Sequence, residues 1–238
     1  MGAKERNKNY VLEKAKEVFL ERGITGVSMA DIAEEADFGV ASVYRYFGNR
    51  KALIMECAVS IWQDKRDKLR VVYEKNLSES GFEQIVVLTK YFSWLVVNEK
   101  SFSKFLLSLD SFLMTEDATR EERKEYDAIL LEIYKMFESA YKTGLSDNTV
   151  RDIGSFQDFY FAATQSLISL SQRLTMRGNV GFDDVSLHDK VKLLVSMFTT
   201  YLSNEKYLCR QIFDDKTQKP PKRRFFVLNK KIFGVTAR

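Results

Sequence analysis

The chain has 238 residues, enough for one sizeable domain or two small ones, and 45% of them are hydrophobic, which is ordinary for a globular protein. A single histidine argues against a histidine-rich metal or acid–base centre, and two cysteines without framework spacing predict a reducing, cytoplasmic setting. The net charge of +4 combines +8 on residues 206–238 with −4 on the rest, so charge alone does not mark the main part of the chain as a nucleic-acid binder.

Helical signals begin near the N-terminus. Residues 8–22 carry apolar side chains at helical spacing, and Gly23 is a plausible C-terminal stop. Ser28 followed three residues later by Asp31 matches a capping box and predicts the start of a second, short helix. The chain therefore begins with two helices joined by a short connection. Further along, Ser80, Ser155 and Ser186 match the same capping pattern and predict helix starts, and Gly144 is predicted to end the helix before it.

A third helix follows after a three-residue break. In the sequence Asp-Phe-Gly at 37–39, Gly39 can supply the backbone angles that a sharp turn needs. Val43 and Phe47, four residues apart, then face the interior, and Asn49 can cap a further helix. A helix, a short turn with glycine and a second helix are the arrangement of a DNA-reading helix-turn-helix.

The outer face of this motif has the chemistry of a DNA interface. Arg45 can reach a guanine edge or a phosphate, and the Ser42, Tyr44 and Tyr46 hydroxyls can donate to phosphates. Arg50 and Lys51 open the next helix, where exposed amides and basic side chains together favour a phosphate. The predicted DNA-binding residues are Ser28, Met29, Gly39, Val40, Ala41, Ser42, Tyr44, Arg45, Tyr46, Arg50 and Lys51.

The segment from Tyr10 to Leu53 resembles the N-terminal domain of the TetR family of transcriptional regulators. The residues that carry the resemblance are Ala15, Phe19, Gly23, Ser28, Ile32, Ala33, Ala36, Val43, Tyr44, Tyr46, Phe47, Arg50 and Leu53. Three positions depart from the family pattern: Gly39 stands where Ser or Thr is usual, Ala41 where Gly is frequent, and Arg50 where Lys is usual.

The resemblance implies an all-α fold: an N-terminal three-helix DNA-binding domain with a helix-turn-helix, followed by a helical bundle for ligand binding and dimerisation. We expect the DNA-binding domain at 1–50, the effector-binding and dimerisation domain at 51–204 and a basic C-terminal extension at 205–238. A long helix from Arg50 to about Asn76 would join the first two. The extension mixes Lys and Arg with aromatic residues, which leaves an added contact, a packed segment and a flexible terminus open.

The last two long helices, near 157–176 and 187–202, are apolar over more than one face. Such helices are deeply buried or shared with a second subunit. The resemblance implies that they pair with their copies in a homodimer, and two-fold symmetry would match a palindromic, double-stranded operator.

The middle helices are rich in aromatic residues with a few polar neighbours, which is typical of ligand sites. The resemblance implies a small-molecule effector that releases a repressor from DNA, and this composition favours a hydrophobic or aromatic effector. The predicted pocket residues are Trp62, Trp94, Phe105, Leu109, Phe112, Tyr134, Phe161 and Gln165. A core aromatic is the competing interpretation for each of them.

Other functional classes are less compatible with the sequence. No catalytic residues, cofactor or metal site are predicted, because His188 lacks the Glu three residues earlier that a carboxylate-bridged metal bundle needs, and no phosphate-binding loop or nucleophile elbow occurs. No apolar run approaches the roughly 20 residues of a membrane span. A regulator that binds DNA constitutively, without an effector, and a helical interaction protein remain the alternatives.

Overall fold

The computed structural model describes residues 2–116, 118–177 and 185–204, with the side chains of 174–177 excepted. Helices dominate this part of the chain, and one isolated antiparallel bridge joins Val150 to Ser203. The helices are α1 (Ala3–Arg22), α2 (Met29–Glu35), α3 (Val40–Phe47), α4 (Arg50–Glu74), α5 (Gly81–Asn98), α6 (Lys100–Thr115), α7 (Arg120–Ser146), α8 (Phe156–Arg177) and α9 (Leu187–Leu202). The predicted all-α fold is confirmed, and the extension 205–238 lies outside the described residues.

Helices α1 to α3, termed the head below, enclose a small core of their own. The apolar residues that recur at helical spacing on each helix all point into it, and the first turns of α4 close it with Leu53 and Ile54. The buried apolar residues of the three head helices are Val11, Ala15, Val18, Phe19, Met29, Ile32, Ala33, Val43 and Phe47. The predicted three-helix arrangement with a helix-turn-helix is therefore confirmed.

Helices α5 to α9, termed the body, pack around the later turns of α4. Helix α4 lies mainly against α7 and α5, while α8 packs between α6, α7 and α9. The largest side chains at the centre of this bundle are fully buried: Phe102, Phe105, Ile85, Leu88, Leu95, Leu109 and Leu167. Because α4 has one end in each core, it fixes the head on the body.

The predicted helix starts are confirmed by their caps. In each case a side-chain oxygen accepts a hydrogen bond from the backbone N–H three residues further on, which satisfies one of the unpaired donors of a helix N-terminus. The capping residues are Ser28, Asn49, Ser80, Ser155 and Ser186.

Three details differ from the sequence-based expectation. Helix α1 begins at Ala3 rather than near residue 8, because the polar residues of its first turns are good helix formers. In the turn before α3 the positive φ belongs to Asp37, at 56°, whereas Gly39 has an ordinary φ of −65° and serves as the N-cap. Helix α7 continues past Gly144 to Ser146.

Gly144 is required for packing rather than for ending a helix. A Cβ atom on Gly81, at the start of α5, would lie 1.9 Å from the backbone nitrogen of Gly144. A Cβ atom on Gly144 would lie 2.4 Å from a methyl carbon of Val150. The backbones of α5 and α7 therefore lie in direct contact at these two glycines, and this contact anchors the start of α5 on the end of α7.

We expect Gly81→Ala to destabilise the protein by about 1–3 kcal/mol, the usual cost of forcing extra atoms into a packed interior. Chemical denaturation measures this loss as a lower midpoint. Gly2→Ala is the matched control, because a Cβ atom there has no neighbour within 4 Å. An unchanged midpoint for Gly81→Ala would contradict the close helix approach.

Candidate nucleic-acid interface and body cavity

Helix α3 presents one face to the core and the other to solvent. Val43 and Phe47 are buried, whereas Tyr44 is 48% exposed and Arg45 and Ala41 are exposed on the opposite side. Gly39 precedes the helix without a side-chain cap, so its first backbone N–H groups remain unpaired by a neighbouring side chain. This face has the size and chemistry of a surface that enters a DNA groove.

Arg45 is held in place along this face. Its Nη2 atom donates a hydrogen bond to Ser42 Oγ at 3.2 Å, and its guanidinium carbon lies 5.6 Å from the centre of the Tyr46 ring. A guanidinium stacked on an aromatic ring loses less freedom when it binds a second partner. Ser42 is therefore a partner of Arg45 as well as a predicted phosphate contact.

A row of aromatic rings links α1 to α3. Ring centres lie 6.3 Å apart between Tyr10 and Phe38, 6.2 Å between Phe38 and Tyr46, and 6.4 Å between Tyr46 and Phe47. Tyr46 is thus half-buried in this row, although the sequence predicted that it faces outward. Sequence reasoning missed Tyr10, which is exposed at the edge of the same row.

Ser28 and Met29 start α2 in different environments. Asp31 N–H donates to Ser28 Oγ at 3.2 Å and Ser28 N–H donates to Asp31 Oδ2 at 2.7 Å, so the predicted capping box is confirmed. The Ser28 amide lowers the pKa of the Asp31 carboxyl. Met29 is only 3% exposed, which puts its side chain in the head core instead of on the predicted DNA surface.

The two basic residues at the start of α4 turn toward the protein. Arg50 donates from Nε to the Val27 carbonyl at 2.7 Å. Lys51 Nζ lies 2.9 Å from a Glu122 carboxylate oxygen and 3.2 Å from the Glu116 carbonyl. The pKa of Glu122 falls to about 2, chiefly through its hydrogen bond with Lys51. Both basic side chains therefore have partners within the protein.

The structure does not bring the eight predicted pocket residues around one cavity. Four are core residues of the bundle, Trp94 and Tyr134 are half-buried, and Phe161 and Gln165 are exposed on α8. The four core residues are Trp62, Phe105, Leu109 and Phe112. Helical spacing identified apolar residues here, but it did not distinguish the face that packs from the face that could line a cavity.

A narrow apolar cleft lies elsewhere, between α5, α7, α8 and α9. Its volume is about 20 Å³, close to the room that one water molecule needs. Its lining residues include Ile85, Thr89, Phe92, Phe137, Tyr160, Ala163, Leu167, Phe198 and Leu202. We refer to it as the α5–α9 cleft.

Two hydroxyl groups contribute polarity to the α5–α9 cleft. The Thr89 and Tyr160 hydroxyls make no hydrogen bond to any residue in the described ranges, and burial raises the pKa of the Tyr160 phenol. The Thr164 hydroxyl, in contrast, donates to its own helix at the Tyr160 carbonyl, 2.8 Å away. The cleft is therefore apolar, and two of the hydroxyl groups that line it have no hydrogen-bond partner in the described part of the chain.

A second, more polar groove separates the head from α6. Its volume is about 460 Å³, and its walls are the connection between α1 and α2, the start of α4 and the end of α6. Arg50, Phe112 and Glu116 are among its lining residues.

Other candidate chemistry is limited in the described part of the chain. Cys57 is fully buried, and burial raises the pKa of its thiol, so it is not a reactive thiolate. Among residues 2–116, 118–177 and 185–204, no three His, Cys, Asp or Glu side chains lie close enough together to hold a metal ion. None of the helices described is long and apolar enough to span a bilayer.

Comparison with known proteins identifies the head. Residues 11–57 match the family model described as bacterial regulatory proteins, tetR family. The matched segment runs from α1 through α3 into the first two turns of α4, so it contains the whole helix-turn-helix. No protein of curated function matches the sequence.

Solved structures share the fold of the chain. A TetR family transcription regulator from Marinobacter aquaeolei VT8 superposes with a TM-score of 0.59 at 13% identity, over 84% of this chain and 97% of the other. NemR from E. coli in its reduced form superposes with a TM-score of 0.62 at 11% identity, over 83% of this chain and 98% of NemR. FadR from Bacillus subtilis, in complex with stearoyl-CoA, superposes with a TM-score of 0.60 at 12% identity, over 82% of this chain and 98% of FadR.

The described chain therefore combines a helix-turn-helix head, whose second helix is exposed, with a helical body that one long helix joins to it. Residues 11–57 are thus similar to the bacterial regulatory proteins of the tetR family, and the described chain shares its fold with solved TetR-family structures.

Proposed function

We propose that the protein is a homodimeric repressor that binds a palindromic operator through α3 and is released from it by a small hydrophobic or aromatic effector. The observation that carries the DNA-binding assignment is the exposed face of α3, where Tyr44 and Arg45 stand opposite the buried Val43 and Phe47. The proposal includes the predicted domains: a DNA-binding domain at 1–50, an effector-binding and dimerisation domain at 51–204 and a C-terminal extension at 205–238.

The dimer interface is proposed on the outer faces of α8 and α9. Leu193, Met197 and Tyr201, each four residues apart on α9, are exposed to 64%, 58% and 49%. The opposite stripe of the same helix, with Val191 and Val195, is buried in the bundle. An exposed apolar stripe on an otherwise packed helix is typical of a protein–protein interface.

The effector site is proposed at the α5–α9 cleft. The cleft is lined by apolar and aromatic side chains, and FadR, which has a similar fold, is known in complex with stearoyl-CoA. Because the closed cleft has room for about one water molecule, an effector must part α5 from α8 and α9. A ligand that binds only the parted form shifts the protein toward it, and so changes the spacing of the two heads.

The same narrow cleft supports one alternative. A regulator that binds DNA constitutively has no need of a cavity, and about 20 Å³ does not hold a small organic molecule. This alternative differs from the first proposal only in the body.

Arg45→Ala should weaken binding to the selected operator by roughly 1–3 kcal/mol for each half-site and relax the sequence preference at one position of each half-site. A binding site is first selected from random DNA, and every single-base variant of it is then titrated against both proteins. Lys142→Ala, an exposed change on α7 away from the head, is the control. Equal losses for Arg45→Ala on specific and random DNA would contradict base contact by Arg45.

The double change Leu193→Asp and Met197→Asp should convert a dimer to a monomer, because it places charges in the middle of an apolar interface. Sedimentation equilibrium measures the mass directly. Met114→Asp, on α6, is the matched control because Met114 is 86% exposed outside the proposed interface. A double variant that stays dimeric with the wild-type dissociation constant would contradict this interface.

An uncharged aromatic probe, N-phenyl-1-naphthylamine, should bind the body with a rise in fluorescence and lower the affinity for the operator. Ala163→Leu, which adds three carbons to the cleft wall, should weaken probe binding at least severalfold, since it occupies the space that the probe needs. Ala128→Leu, on the exposed face of α7, is the control. If the probe binds the protein but the affinity for the operator stays unchanged, the result would favour the constitutive regulator.

A further inference from the structure

Arg50 is the first residue of α4, and two of its side-chain nitrogens donate hydrogen bonds to backbone carbonyls of the protein. Its Nε donates to the Val27 carbonyl at 2.7 Å and its Nη2 donates to the Ile24 carbonyl at 2.5 Å. The side chain is half-buried in the groove between the head and α6. The guanidinium is therefore hydrogen-bonded within the protein through two of its three nitrogens.

The two acceptors belong to the connection between α1 and α2. The Ile24 carbonyl accepts only a long backbone hydrogen bond of 3.4 Å, from the Val27 N–H, and no backbone N–H of the described residues donates to the Val27 carbonyl. Both side chains are buried. A guanidinium donates two bonds in a fixed fork, whereas an ammonium is a point charge on a flexible stem. The geometry therefore requires arginine, at a position where the family pattern usually has lysine.

The connection held by Arg50 also contacts the body. The Ile24 N–H donates to Ser108 Oγ on α6 at 3.3 Å, and Ser108 Oγ in turn donates to the Phe105 carbonyl at 2.9 Å. Gly23 packs on the same serine, because a Cβ atom there would lie 3.6 Å from Ser108 Oγ. One continuous set of contacts thus joins the start of α4, the α1–α2 connection and α6.

We infer that Arg50 is a positioning residue for DNA recognition and not a phosphate ligand. It fixes the connection at residues 23–28, which sets the start of α2 and hence the angle of α3, and it ties that angle to α6. This inference rests on the proposed DNA binding through α3, and it replaces the phosphate contact that the sequence predicted for Arg50.

The test compares Arg50→Lys with Arg50→Ala over a series of salt concentrations on the selected operator. A positioning role predicts that both variants weaken binding by about the same factor, roughly tenfold or more, and that the slope of log affinity against log salt stays at the wild-type value. A phosphate ligand predicts near wild-type affinity for Arg50→Lys and, for Arg50→Ala, a slope smaller by about 0.9 for each subunit, or about 1.8 for the dimer. The second pattern would overturn the inference.

Amide hydrogen exchange in the free protein separates this inference from the DNA-binding proposal. In both variants the Ile24 N–H, which is bonded to Ser108, should exchange at least tenfold faster than in the wild type, while the interior amides of α7 keep their rates and show that the fold persists. Unchanged exchange at Ile24 would overturn the positioning role even if no operator were found. A wild-type protein with no operator but fast exchange in the variants would instead reject the DNA-binding proposal alone.

Discussion

The packing of α4 in two cores is the constraint on which the rest of the structure depends. Leu53 and Ile54 near its start are buried against the head, and Trp62 and Leu69 further along are buried in the body. A helix transmits rotation and translation along its length because its backbone hydrogen bonds do not yield to small forces. Any change in the body that tilts α4 must therefore move the head, and two heads on a dimer would change their spacing.

Polar contacts at the start of α4 set orientation more than stability. Lys51 and Glu122 are partly exposed, and exposed ion pairs contribute little net free energy because water screens them. The ion pair instead orients two helices relative to each other. Glu122 is also the capping-box partner of Thr119 at the start of α7, so Lys51 joins α4 to the first turn of α7. Arg50 does the same for the α1–α2 connection. Together they hold the head at one angle to the body.

The sequence predicted local structure well wherever a local interaction decides it. Ser28 with Asp31, and the inward Val43 and Phe47, need only neighbours in the chain, so helix starts and the helix-turn-helix followed from pattern alone. The pocket residues and Arg50 depend on which distant helix packs on which face. No spacing in the sequence shows that Arg50 meets two carbonyls, or that Gly144 meets Gly81 at backbone distance. Long-range packing therefore decided the differences in the site, whereas the earlier start of α1 and the positive φ of Asp37 are local.

The position of the α5–α9 cleft gives regulation a direct geometric route. Helix α9 supplies Phe198 and Leu202 to the wall of the cleft and Leu193 and Met197 to the exposed stripe, so one helix serves both surfaces. A close-packed interior responds to an inserted molecule by moving whole helices instead of compressing. A ligand that widens the cleft must then displace the surface through which two copies would meet. Dimer geometry and effector occupancy would thus be coupled through α9, whereas α4 carries the change to DNA.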